Sequence, residues 1–209
     1  MNHPSFTKLR RQIDEAITFD DLKKARHLIA LGLKLAQAKE CPGETMYFRA
    51  QACIASEEYE DALPFLVRAL VFNPADGAAY NDMALCLVEM GRLDGILEIF
   101  DKGIALEPDY ATIHHNKGWF LNKIGRPTEA LVCFERALGF EPRRVVTWEN
   151  MANAYEELGR PEEALKAYRN ALGFLRGAGQ GIRAQLQAEI QRLEAQRPGG
   201  NDRGAQKLN

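Results

Sequence analysis

The 209 residues predict an all-α solenoid, about five helical hairpins in series followed by one C-terminal capping helix. Three observations carry that expectation. Pro74, Pro108 and Pro142 stand 34 residues apart, and Gly91, Gly125 and Gly159 keep the same interval. Each period holds two apolar stretches at helical spacing, such as Trp119, Leu121 and Ile124 before the glycine and Ala130, Leu131, Phe134, Ala137 and Leu138 after it. Small residues recur in phase, with Ala62, Ala130 and Ala164 in one slot, Ala69, Ala137 and Ala171 in a second, and Ala50, Ala84, Gly118 and Ala152 in a third. Small side chains let helix backbones approach, and a neighbouring large residue fills what remains.

The elements follow in order. Residues 1–42 read as a degenerate hairpin and linker: Leu9, Ile13, Ala25, Ile29 and Gly32 hold core slots over about 6–39, and KECPG follows as the linker. Four full units are expected at 43–76, 77–110, 111–144 and 145–178. In the last three, Gly91, Gly125 or Gly159 ends the first helix, where a residue of positive φ costs glycine little. Pro127 and Pro161 suit the first turn of a second helix, whose N–H groups lack partners in any case. Pro74, Pro108 and Pro142 close the second helix, because the residue before proline resists helical geometry. Large residues keep register, with Met46, Tyr80, His114 and Trp148 early and Leu66, Phe100, Phe134 and Tyr168 late. Unit 77–110 departs from the pattern, having Ile96 and Gly103 where the others carry Ala, which predicts altered local curvature or flexibility; a mid-helix Gly costs about 1 kcal/mol relative to Ala. After a GAGQG break at 177–181, a helix within 179–197 has Ile182, Leu186, Ile190 and Leu193 on one face, as a solvating cap or a docking helix would. The tail 198–209 lacks apolar periodicity and is expected to be disordered.

This pattern of a large aromatic, a small residue, a Gly turn, Ala, an aromatic, Ala and Pro over 34 residues resembles the tetratricopeptide repeat. The resemblance implies a right-handed α–α superhelix in which the first helices line a concave groove that receives an extended peptide or a helix of a partner. Carried onto this chain, it points inward Arg10 and Asp14, then Tyr47 and Gln51, Asn81 and Leu85, His115, Asn116, Trp119 and Lys123, and finally Glu149, Asn150 and Asn153. Asn116 and Asn150 recur 34 apart, and an Asn amide both donates and accepts, as a peptide group does. Trp119 adds an apolar face. The Lys and Asn pattern with which one subtype clamps a C-terminal carboxylate is not reproduced: Asp14 stands where Asn is expected and His115 where Lys would be.

Composition narrows the partner. Twenty-seven Lys and Arg against 29 Asp and Glu leave a net charge of −2, with no basic excess for a phosphate backbone, so nucleic acid is not expected; RNA reading by helical repeats is the less favoured alternative. No apolar run is long enough to cross a membrane, and the charged opening MNHPSFTKLRRQIDEAITFD has no export signal, so a cytoplasmic setting is expected. Cys41, Cys53, Cys86 and Cys133 are scattered, as in a reducing compartment. No phosphate-binding, zinc-protease or nucleophile-elbow motif occurs, and the adjacent His114 and His115 diverge by about 100° on a helix. The expectation is therefore a non-enzymatic scaffold or adaptor for a protein or peptide segment, with no cofactor, no metal and no catalytic residue. Self-assembly into a homo-oligomer is the alternative.

Overall fold

The structure, a computed structural model, describes residues 4–18, 21–175 and 180–196. The tail at 198–209 and most of the 177–181 break lie outside them. Among the described residues the chain forms α-helices and no strand: α1 Pro4–Thr18, α2 Leu22–Ala38, α3 Pro42–Ile54, α4 Tyr59–Phe72, α5 Gly77–Glu89, α6 Ile96–Leu106, α7 Ala111–Lys123, α8 Pro127–Phe140, α9 Val145–Glu157, α10 Pro161–Phe174 and α11 Gln180–Ala195. They fall into two compact units, 1–116 and 117–209, the division lying within α7.

In the first unit, α1 with α2, α3 with α4, and α5 with α6 make hairpins around Phe6, Phe48, Leu66 and Phe100, all fully buried. Burying one such side chain contributes roughly 1.5–3 kcal/mol. The stretch expected as a linker is only the tight turn Lys39 to Cys41, with Glu40 at φ 51° and Pro42 already in the first turn of α3. Gly91 turns the α5–α6 connection at φ 70°, whereas the same phase in the preceding unit holds Glu57 at φ 62°. The sequence reading missed this turn, since Glu57 carries no glycine signal. α6 has 11 residues where α4, α8 and α10 each have 14, because Gly95 at φ 73° delays its start. The Gly103 anomaly has a packing cause: a Cβ there would lie 2.4 Å from Ile113 Cδ1 and 3.0 Å from Tyr80 Cβ. A large residue on α7 has taken the space that Ala occupies elsewhere. His114, in its expected large slot, is buried, and its Nε2 lies 2.8 Å from the Pro108 carbonyl; that oxygen can only accept, so Nε2 carries the proton.

In the second unit, Gly118 on α7 lies against the Phe134 ring of α8, and Pro127 and Pro161 open α8 and α10 as expected. Trp148 donates its indole N–H to the Pro142 carbonyl at 2.8 Å, the counterpart, one period later, of His114 and Pro108. Ala152, Ala164 and Ala171 are fully buried around Tyr168. α11 packs on α10 through Leu186 and Leu193, with Ile182 and Ile190 half-buried beside them. Ile124 departs from its expected apolar stripe: at the end of α7, beside the turn glycine, it is 39% exposed.

Candidate interaction surface

On α1, α3, α5 and the start of α7, the helices expected to line a groove, the first unit gathers a polar network. Arg10 lies over the Tyr47 ring with its guanidinium carbon 3.5 Å from the centroid. Its Nη1 and Nη2 donate to both carboxylate oxygens of Asp76 at 2.8–3.0 Å, and Nη2 also donates to Glu44 Oε2 at 3.0 Å. Asp76 is at the same time the N-cap of α5, accepting from the Ala79 N–H at 3.1 Å. Farther along, Asp82 accepts from Gln51 Nε2 and, at 3.1 Å, from Asn81 Nδ2. Asn116 Nδ2 donates to Asn81 Oδ1 at 2.7 Å, and the Tyr110 hydroxyl reaches Asp14 at 3.3 Å.

Burial decides what these groups can offer. Tyr47, Gln51, Asn81 and His115 are only 3%, 5%, 2% and 6% exposed, and Tyr47, Gln51 and Asn81 are engaged by neighbours within the unit in this conformation. Asn116 and Leu85 are half-buried. The network is acidic. Burial pushes the Asp82 carboxyl up to about 7, with the charge of Asp14 adding to the effect and the hydrogen bonds from Asn81 and Tyr47 opposing it. Burial likewise raises Glu44, against the attraction of Arg10, and raises Glu107, with Asp76 adding to the effect. Burial works against the Arg10 charge, but the surrounding Tyr47, Asp76 and Glu44 raise its affinity for the proton more.

The second unit is more open. Trp119 is half-buried with the Lys123 ammonium 4.9 Å from its ring centroid, and Lys123 is itself exposed. On α9, Glu149 and Asn150 are half-buried and Asn153 is exposed. The Tyr168 hydroxyl lies 2.6 Å from Asn153 Oδ1 and 2.9 Å from Glu156 Oε1, and Asn122 Nδ2 donates to Glu157 at 3.1 Å. α11 joins this face, Gln185 Nε2 donating to Glu149 Oε1 at 3.1 Å and Arg192 pairing with Glu156 and Glu189. Burial, then the charge of Glu189, raises the Glu149 carboxyl.

Several members of these surfaces escaped the sequence reading: Glu44, Asp76, Asp82 and Tyr110 in the first unit, and Asn122, Glu156, Glu157, Gln185 and Arg192 in the second. The period could have found three of them, since Asp82 stands 34 residues before Asn116, Glu44 34 after Arg10, and Glu157 34 after Lys123. Asp76 sits in a loop, and the pairing of α11 with α9 is tertiary, so neither left a periodic signal. Among the described residues no group of three or more His, Cys, Asp or Glu is placed to hold a metal ion, and no helix is long and apolar enough to cross a membrane. What the surface offers is amides, carboxylates and an indole face, groups suited to holding a peptide backbone and its side chains.

Comparison with known proteins agrees with this architecture. The family model described as tetratricopeptide repeat matches residues 111–144 and, in a second version, residues 145–174. Among solved structures, TTC0263, a thermophilic TPR protein of Thermus thermophilus, is 18% identical with a TM-score of 0.68 over 89% of this chain and 99% of its own. YrrB, described as a TPR protein with an unusual peptide-binding site, is 16% identical with a TM-score of 0.57 over 84% of this chain and 88% of its own. MamA residues 41 to the end from Desulfovibrio magneticus RS-1 is 17% identical with a TM-score of 0.58 over 74% and 94%. At these identities the likeness is one of fold. Among curated proteins, no sequence matches this chain.

Proposed function

We propose that this chain, which belongs to the tetratricopeptide-repeat family, is a non-enzymatic scaffold that holds an extended peptide or helix of a partner protein and so helps assemble or chaperone a complex. The family's fold is one of protein interaction. The observation that carries it is the face formed by Trp119 and Lys123 on α7 and Glu149, Asn150 and Asn153 on α9, which is half-buried to exposed and offers both an indole surface and amides. A peptide laid there gains hydrogen bonds to its backbone from Asn150 and Asn153 and apolar contact from Trp119. YrrB, a TPR protein with an unusual peptide-binding site, supports the reading by analogy of fold. Four cysteines scattered along the chain fit a cytoplasmic setting.

The test is titration calorimetry with a peptide selected against the folded chain from a random display library. Trp119→Ala combined with Asn150→Ala should weaken it at least tenfold, with the helical circular dichroism unchanged; unchanged affinity would remove the groove assignment.

A second reading, self-association through second helices, has its own support in Val67, Val71 and Phe72 of α4, exposed at 51%, 73% and 54%. Light scattering across concentration separates the two, because a species that stays monomeric ends it.

A further inference from the structure

We propose that Tyr47, Glu44 and Asp76 form a recognition pocket for an arginine side chain of a partner segment, and that Arg10 of α1 fills it when no partner is bound. The proposal rests on the reading of these repeats as a binding scaffold. It concerns side chains of the first unit alone, so it can fail while the Trp119 and Asn150 surface stands.

The pocket has three walls fitted to a planar cation. Tyr47 supplies a ring face at 3.5 Å, Asp76 receives two parallel N–H donors at 2.8–3.0 Å, and Glu44 takes a third at 3.0 Å. A guanidinium satisfies all of these at once through its rigid fork, whereas an ammonium has three donors on a single centre and no plane to lay on the ring. All three walls are themselves buried. Further carboxyl groups lie around them and no other cation does so in the network described above, with Glu107 accepting from the Gly77 N–H at 3.0 Å and Asp82 hydrogen-bonded to Gln51 and Asn81. Removing Arg10 therefore leaves two desolvated carboxylates facing a vacant aromatic plate, which is a strong incentive for another cation to enter.

What allows exchange is where the cation comes from. Arg10 stands 34 residues from Glu44 and 66 from Asp76, on the first helix of the array. In a repeat array each helix is held by its neighbours, and among the described residues α1 packs chiefly on α2, whereas α3 packs on both α2 and α4. Elements with fewer packed neighbours open at lower free energy than the whole. α1 is anchored by Phe6 against Phe48, ring centroids 6.0 Å apart, by Leu9 and Ile13, and by the Arg10 cluster. Opening α1 uncovers Tyr47, which the sequence assigned to the groove and which the seated guanidinium now covers. An entering segment with one arginine would reproduce that contact and run toward the amides of Gln51 and Asn81.

The experiment uses the full chain carrying Arg10→Ala, with acetyl-Ala-Arg-Ala-amide and its lysine counterpart as probes in calorimetric and NMR titrations. The arginine peptide should bind the variant at least tenfold more tightly than it binds the wild type, shift the amides of Glu44, Tyr47 and Asp76, and exceed the lysine peptide at least fivefold. Adding Asp76→Asn, which keeps the helix cap, should abolish the binding. Equal affinity for the two peptides, or none for a folded variant, overturns the proposal. If Arg10→Ala does not fold, hydrogen exchange on the wild type decides: millimolar arginine peptide should speed exchange of the α1 amides severalfold, and unchanged α1 exchange overturns the proposal equally.

Discussion

Gly118 on α7 and Phe134 on α8 share one space: a Cβ on the glycine would lie 2.7 Å from Phe134 Cε1. The other three units carry Ala at that phase, Ala50, Ala84 and Ala152, so the sequence showed only that the slot takes a small residue. The structure makes it a requirement, because the nearest other atom outside the ring is the Ala130 carbonyl oxygen at 3.1 Å, a backbone group with little room to retreat.

Gly118→Ala sets two effects against each other. Helix propensity favours Ala by about 1 kcal/mol, while overpacking a filled core costs roughly 1–3 kcal/mol. The clash is with a ring edge and a carbonyl rather than a flexible tip, so packing should win, and urea unfolding should show a net loss of up to about 2 kcal/mol. A gain in stability would mean that the two helices have slack.

Glu57 should behave in the opposite way. It turns α3 into α4 at φ 62°, the conformation that Gly91, Gly125 and Gly159 adopt in the later units. A left-handed residue with a Cβ costs roughly 1–2 kcal/mol, and glycine gives back about 0.4–1 kcal/mol through its freer unfolded chain. Glu57→Gly should therefore stabilise by about 0.5–1 kcal/mol, read as a higher urea midpoint at unchanged slope.

The 34-residue period made most of the architecture readable, because each slot is filled by the same physical requirement four times over. Ala62, Ala130 and Ala164 are all fully buried, and Leu66, Phe100, Phe134 and Tyr168 all lie in the core. Where a requirement was met by another residue type, the signal vanished. Glu57 makes the glycine turn without glycine, and Gly103 is small because Ile113, ten residues on, is large. The surface was less legible. Phase placed Tyr47, Gln51 and Asn81 on the inner helices, but it carried no information that Arg10 and Asp82 would engage them and leave them buried.

Stability should depend on pH through the acids of the first unit. Folded Asp82 keeps its proton until about pH 7, whereas an unfolded aspartate releases it near ~3.9. Between those values the folded state binds more protons than the unfolded, so this group's contribution falls as pH rises through the window and levels off above it. Glu44 and Glu107, also raised by burial, act in the same sense. The thermal midpoint of Asp82→Asn should exceed that of the wild type at pH 8 and the two should converge near pH 5. An equal difference at both pH values would show that Asp82 is ionised throughout.

The central claim is that a partner segment lies on the first helices of the repeats. Its most direct measurement is photo-cross-linking from benzoylphenylalanine placed singly at Asn153 on α9 and at Glu135 on α8, both exposed and both in the second unit, with a display-selected peptide bound. The account predicts a peptide adduct from position 153 and none from 135. An adduct from 135 with none from 153 would put the partner on the second helices and contradict it.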